Sequence, residues 1–486
     1  MYLNWCQHED LPKKAWVLDV ISDGNAKILS GTGFHEFGGG FFEGSVGEIP
    51  GCLLKMSRVF GSGFVLKDDV FTLITPAHTL ESLYVYRRKH GWMASNSLAL
   101  LVSHANLQLP WSPRWGIQFA SLCSGITNYQ QKLIQTPNGE LFRFAFHNVT
   151  IDAGGDFQTL PKPCSPAFTS FEQYRDYLQE TIVCAFEGTG NPKPIPATTC
   201  STGYDSACCA ALAWQAGCRR VLTLCKARGG DSDSGRPIGE LLDMNVIEVE
   251  RPERANGALA DLAPFLATGM GGEDYCYSGF APHLANNVLL SGFHGDKIWE
   301  VGIKPNNYIS RGDLSGSSLQ EFRLWTDFIH IPVPMIGALQ HAEIAAINNS
   351  PDMQPWRLNN HYDRPIARRI VEDAGVLREM FGQTKKAASL LLFTNPKLID
   401  LHIRNEMLSA VPADWRKASE RLFPLFNWET RSTAYKICRK LGLDVLESPL
   451  VNDWRVFEHN HPQAILAFGA GLYAMTAKYR SILALI

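Results

Sequence analysis

Between residues 195 and 290 the chain sets short apolar segments, at 195–200, 220–225, 245–249 and 287–290, between stretches of helical character. This alternation restricts the fold more than any other feature. Strands that take turns with helices form a parallel sheet covered on both faces, so the expected fold class is α/β with a doubly wound parallel sheet. A helix over 170–187 leads into the first strand: Ser170 and Gln173 can form a capping box, and Phe171, Tyr174, Leu178 and Ile182 recur at helical spacing. Ligands of such sheets bind beyond the carboxyl ends of the strands, so the loops at 201–206, 226–235 and 291–296 are expected to share one crevice. Beyond residue 310 the chain reads mainly as helix.

The first 150 residues follow a different pattern of short strands and turns. Residues 64–66 and 70–74 read as one hairpin around Lys67-Asp-Asp, and 83–86 and 92–94 as a second around Lys89-His-Gly. A Pro-rich stretch at 160–166 reads as a linker. A length of 486 residues exceeds one ordinary core. The expected division is a β-rich part over 1–160 and an α/β part over 167–486.

Composition excludes several classes. A net charge of −3 gives no overall attraction to nucleic acid or an anionic membrane. The apolar run at 464–477 is broken by glycines and falls short of the roughly 20 residues that a bilayer crossing needs, so it reads as a buried helix. The first residues lack the pattern of a secretory signal, and the twelve cysteines lack paired C-x-x-C spacing. A reducing, cytoplasmic setting is the expectation, with Cys184, Cys200, Cys208, Cys209, Cys218 and Cys225, which fall around one strand-helix-strand unit, acting as small buried hydrophobes.

The chemistry concentrates in two loops. Cys200-Ser-Thr-Gly-Tyr-Asp-Ser206 follows the first strand and opens a helix over 207–216. Small residues let a ligand approach, and the N–H groups at a helix N-terminus attract an anion. Ser201 and Ser206 add hydroxyl donors, while Asp205 beside phosphate requires a cation, normally Mg²⁺. An ordinary strand-to-helix turn with a capping serine is the alternative. The second loop, in Val288-Leu-Leu-Ser-Gly-Phe-His-Gly-Asp-Lys-Ile-Trp299, again places glycines and a carboxylate, Asp296, after an apolar strand.

The first loop resembles the S-G-G-x-D-S pyrophosphate loop of the ATP pyrophosphatases, also called the PP-loop or HUP-like group. Leu290-Ser-Gly-Phe-His-Gly-Asp-Lys resembles the L-S-G-E-G-x-D-E segment of asparagine synthetases. Ser318-Leu-Gln-Glu-Phe-Arg-Leu-Trp resembles their E-x-R-x-P region, and residues 369–386, ending Phe-Gly-Gln-Thr-Lys-Lys, resemble their closing lysine segment. These segments cover about residues 170–390. Stretches at 63–97 resemble the late part of the class II glutaminase domain, an Ntn-hydrolase fold. That domain uses an N-terminal cysteine. Here Tyr stands at position 2 and Cys6 is internal, so glutaminase activity is not expected, as in β-lactam synthetase.

The resemblance implies that Ser201, Thr202, Gly203, Tyr204, Asp205 and Ser206, with Ser291 and Gly292, hold ATP, and that Asp205 and Asp296 bind Mg²⁺. It implies further that Leu224 flanks the adenine, that Glu321 takes part in proton transfer, and that Lys385 or Lys386 neutralises the departing phosphates. Two positions depart from the pattern: Thr202 replaces a glycine, and Phe293 stands where the family has Glu or Tyr. His294 is then a candidate base. Glu321 could instead pair with Arg323 or Arg364, the lysines could be a solvated pair, and His294 a packed turn residue.

The expected activity is an AMP-forming ligase that adenylates a carboxylate or amide and joins it to an amine. Its acceptor would be a small molecule, peptide or protein, and a homodimer or a pathway partner protein is compatible with it. Two further enzyme readings are a relative of 7-cyano-7-deazaguanine synthase and a tRNA thiolase. Neither the cysteine spacing of a zinc site nor a basic charge supports them. A nucleotide-binding pseudoenzyme or scaffold is the non-catalytic alternative.

Overall fold

A computed structural model of the protein describes residues 2–21, 24–37, 39–48, 52–188, 192–268, 272–392, 398–422 and 462–485. The N-terminal part is two stacked sheets. The first runs in the order Tyr2–Gln7, Asn25–Ser30, Trp16–Ile21, Gly91–Ser95, Leu83–Arg88, Gly139–Phe144, Lys132–Thr136. The second runs Phe157–Leu160, Asn148–Ile151, Val70–Ile74, Val59–Lys67, Gly40–Val46, His35–Phe37. Inward side chains of both, among them Trp16, Phe41, Phe64, Phe71 and Trp92, pack into one core. Both expected hairpins are present. Asp68 and Asp69 take φ of 50° and 60°, the positive pair that a tight turn between twisted antiparallel strands requires.

After Leu160 the chain leaves the sheets and enters the helix Phe171–Glu187. Ser170 caps it by accepting from Gln173 N at 3.3 Å, but the Gln173 side chain accepts from Thr169 N rather than Ser170 N. Half of the expected capping box therefore forms.

The third sheet has five parallel strands, in the order Asn245–Val249, Arg220–Leu224, Ile195–Thr199, Asn287–Ser291, Phe328–Pro332. Four match the expected segments. The fifth, Phe-Ile-His-Ile-Pro, lies in the region read as helical; it is buried along its whole length, so no alternation marks it. Neighbouring residues of one strand enter different cores: Leu222 and Leu289 pack on one face with Leu262 and Phe468, Val221 and Val288 on the other with Leu178 and Leu212. Residues 464–477 belong to the helix Pro462–Leu483, whose apolar residues are buried against Leu259–Leu266 and Leu98–His104. Among the described residues no helix is long and apolar enough to cross a membrane.

A buried polar cluster joins the N-terminal sheets to the parallel-sheet part. Arg323 donates to Glu43 at 2.8 and 3.2 Å and to Glu81 at 2.6 Å, and all three side chains are buried, none more than 5% exposed. Glu43 also accepts from Ser62 Oγ and Asn96 Nδ2.

Candidate functional site

The chain order of the parallel sheet reverses between Ile195–Thr199 and Asn287–Ser291, which are neighbours with connections leaving in opposite directions. Loops after such strands diverge and leave a crevice. Here it encloses about 310 Å³ and is lined by Ser201, Gly203, Tyr204, Asp205 and Ser206 from the first loop and Gly292, Phe293, His294 and Asp296 from the second. Lys385, Lys386 and Arg364 line it from the far segment.

The two loops press together. A methyl group on Gly292 would sit 2.7 Å from the Asp205 carbonyl carbon and 2.8 Å from Ser206 N, and one on Gly295 would enter the Asp205 carboxylate. Only glycine permits this approach. The helix starts at Tyr204, earlier than expected, so its first N–H groups lie inside the loop. Ser201 Oγ braces that turn by accepting from Gly203 N at 3.1 Å and sharing a hydrogen bond with Ser206 Oγ at 2.8 Å.

Charges alternate across the crevice. Asp205 pairs with Arg364, which is buried and also donates to Glu300 at 2.8 Å. Burial raises the Asp205 carboxyl while Arg364 opposes the shift. Asp296 lies 3.2 Å from Lys297 Nζ and 3.6 Å from Lys385 Nζ. Burial would raise its carboxyl as well, but Lys297, Arg364 and Lys385 outweigh that and hold it below the usual range. Lys386 Nζ donates to Thr202 Oγ1 at 3.2 Å and to the Ser232 carbonyl at 2.6 Å.

The residues present fit Mg²⁺. Asp205 Oδ1 is buried and lacks a hydrogen-bond partner among the described residues. Among those residues no three His, Cys, Asp or Glu side chains form a metal cluster. Two carboxylates suffice for an ion that keeps several waters and completes its shell with phosphate oxygens.

Other expected site residues lie elsewhere. Glu321 is outside the crevice: its buried carboxylate accepts from Ser97 Oγ at 2.7 Å, Tyr479 Oη at 2.8 Å and Trp325 Nε1 at 2.9 Å, tying the Leu98–His104 helix to the C-terminal helix. It pairs with neither Arg323 nor Arg364. It does not face the crevice in which the resemblance put it for proton transfer. Leu224 ends its strand inside the core and does not line the crevice. Ser291 is buried behind it, sharing a 2.6 Å hydrogen bond with His330 Nε2. His294 does line the crevice. Its φ of 63° turns the chain there, and its Nε2–H donates to the Ser315 carbonyl at 3.0 Å. Burial and then Arg311 push its pKa down to about 4, which leaves a weakly basic imidazole.

Arg364 and Asp233, absent from the expected set, became visible only through contacts with Asp205 and Thr202. Nothing local in the sequence distinguishes either one from a surface charge.

The buried histidines make stability pH-dependent. Burial, then Arg323, lowers His330 to about 3, so the folded state keeps it neutral where the unfolded chain protonates it near 6.5. The unfolded state then binds more protons, and this contribution to stability is lost as pH falls from 6.5 toward 4. Glu81, raised to about 7 by burial, acts in the opposite sense. Comparing wild type with His330→Gln isolates the histidine: in urea denaturation the wild type should lose up to about 3 kcal/mol more than the variant between pH 6.5 and 4. Parallel pH profiles would contradict this.

Fold and crevice together define a mixed α/β protein with acidic and basic groups converging at a sheet switch point. Neither a scan against protein-family models nor a search of the curated proteins returns a match.

Proposed function

We propose that the protein is an ATP-dependent ligase that forms AMP and pyrophosphate while activating a carboxylate or amide for attack by an amine. In this reading the parallel-sheet part is a PP-loop, asparagine synthetase-like domain. The N-terminal sheets are an Ntn-type glutaminase relative that does not hydrolyse glutamine, and the setting is cytoplasmic. The observation that carries it is the juxtaposition of Asp205 and Asp296 on two loops packed too closely for any side chain at 292 or 295, with cations facing each carboxylate.

Polyphosphate with Mg²⁺ is the chemistry that such a pattern serves. The N-terminal N–H groups of Tyr204–Gln215 and the hydroxyls of Ser201 and Ser206 would bind phosphate oxygens. Asp205 and Asp296 would hold Mg²⁺, which when bound neutralises charge between the phosphates. Lys385, which lines the crevice, would gain interaction as charge develops on the leaving pyrophosphate. His294, a poor base with Nε2 committed to Ser315, serves to shape the wall beside Phe293.

Incubation with labelled ATP and cell extract as a source of acceptor should give AMP and pyrophosphate rather than ADP. Calorimetry should show Mg²⁺-dependent ATP binding that Asp205→Ala weakens by at least about tenfold, the scale of a lost charged ligand. Unchanged affinity in a folded Asp205→Ala protein would remove the site assignment. ATP binding without AMP formation would favour the pseudoenzyme.

A further inference from the structure

A loop that receives phosphate presents backbone N–H groups, and in this chain one of them already faces a carboxylate. Thr202 N–H donates to Asp233 Oδ1 at 3.2 Å, and the Thr202 hydroxyl donates to the same oxygen at 2.6 Å. That hydroxyl accepts from Lys386 Nζ at 3.2 Å. Asp233 is 6% exposed. Burial raises its carboxyl, and its bonds to Thr202 and the nearby Lys386 charge oppose the shift.

The Asp233 segment is carried over the phosphate loop by backbone pairing. Ser234 bridges Ser201, Ser232 bridges Lys226, and Asp233 N donates to the Cys225 carbonyl at 3.2 Å. On the other side Gly382 N donates to the Thr202 carbonyl at 2.8 Å, which brings the 382–386 segment onto the same residue. Three stretches distant in sequence thus meet at Thr202.

An amide N–H and a hydroxyl converge on one anionic oxygen, with the Lys386 ammonium held on that hydroxyl beside it, and an amide N–H flanked by an ammonium is a donor set that a phosphate oxygen uses. Resting on the nucleotide reading above, we infer that Asp233 is an internal competitor for this cradle, an acidic latch that a nucleotide phosphate displaces from Thr202. Two anionic oxygens do not share one N–H without strong repulsion, so binding has to move the carboxylate aside. Its departure releases the Thr202 hydroxyl and lets Lys386 turn from the latch to the phosphates. The threonine at 202 acquires a reason: a glycine there would keep the amide but lose the hydroxyl that closes the latch.

The sign of one measurement separates a latch from a buttress. Calorimetry on the full chain compares wild type, Asp233→Asn and Thr202→Gly, with inorganic pyrophosphate and with ATP plus Mg²⁺ as probes. Removing the competing charge in Asp233→Asn should tighten pyrophosphate binding by about tenfold, and Thr202→Gly, which opens one arm of the latch but gives up a hydroxyl donor, should gain less, at most about threefold. If Asp233 only braces the loop, both variants bind more weakly. That result, or unchanged affinity in folded variants, overturns the latch. Should Asp233→Asn fail to fold, Asp233→Ala, which removes the competing charge and keeps the Thr202 hydroxyl, carries the test with the same expected tightening. Wild-type binding without tightening overturns the latch and leaves the nucleotide site standing, whereas no binding by any form overturns both.

Discussion

Replacing Lys385 with alanine is expected to lower pyrophosphate release by roughly two to three orders of magnitude while ATP affinity stays within a few-fold, the scale for removal of one preplaced charge stabiliser. The two lysines are adjacent but differently engaged. Lys386 spends two of its three donors on Thr202 Oγ1 and the Ser232 carbonyl, whereas Lys385 is 64% exposed, with its ammonium 3.6 Å from Asp296. A cation already neutralising Asp296 would leave Lys385 nothing to pair with except the phosphates. Its interaction then grows as the bond to the leaving group breaks, so its loss falls on kcat more than on KM for ATP. Lys386→Ala should instead change nucleotide affinity, because its contacts set the conformation of Thr202. Rates of pyrophosphate release and calorimetric ATP affinity for both variants check the division. Normal turnover by Lys385→Ala would remove Lys385 from the chemical step, whereas ATP binding without pyrophosphate release by the wild type would leave the pseudoenzyme as the better reading.

The largest effect on stability is expected from Arg323→Met, about 3–5 kcal/mol, the cost of leaving buried carboxylates without their counter-charge. Arg323 is the cation hydrogen-bonded to both Glu43 and Glu81, and each is almost wholly shielded from water. Glu43 lies in the second sheet, whereas Arg323 lies on the Leu319–Thr326 helix that leads into the fifth parallel strand. The substitution therefore loosens the junction between the two parts of the chain as well as a local pair. Urea denaturation at several pH values measures it. The penalty should be smaller at pH 6 than at pH 8, because Glu81, already raised to about 7, takes up a proton once its partner is gone. The triple variant Arg323→Met, Glu43→Gln, Glu81→Gln should recover part of the loss. A cost below about 1 kcal/mol for Arg323→Met would show that the cluster is better hydrated than its burial implies.

The elements legible in the sequence were those whose signal is local. Ile195–Thr199, Arg220–Leu224, Asn245–Val249 and Asn287–Ser291 each form a compact apolar segment beside a helix, and their loops carry the glycines and hydroxyls that an anion site needs. The Asp68 and Asp69 turn was equally readable, since two adjacent residues that tolerate positive φ stand between strand-forming runs. Phe328–Pro332 was missed because a fully buried five-residue strand lacks alternation and follows directly on a helix.

Taken alone, then, the sequence determined that a parallel sheet would form and that loops would gather at its carboxyl edge, because strand burial and loop chemistry are properties of contiguous residues. Of the three loops expected to share the crevice, 201–206 and 291–296 line it and 226–235 does not. Only the tertiary structure decided which charges face one another there. Asp205 meets Arg364 across 159 positions, and Thr202 meets Asp233 across 31. Glu321, in a segment that matched a functional pattern, was drawn by Ser97, Trp325 and Tyr479 into a junction away from the crevice. A carboxylate takes its role from the donors and cations that packing places around it, and those come from segments whose separation no local pattern encodes.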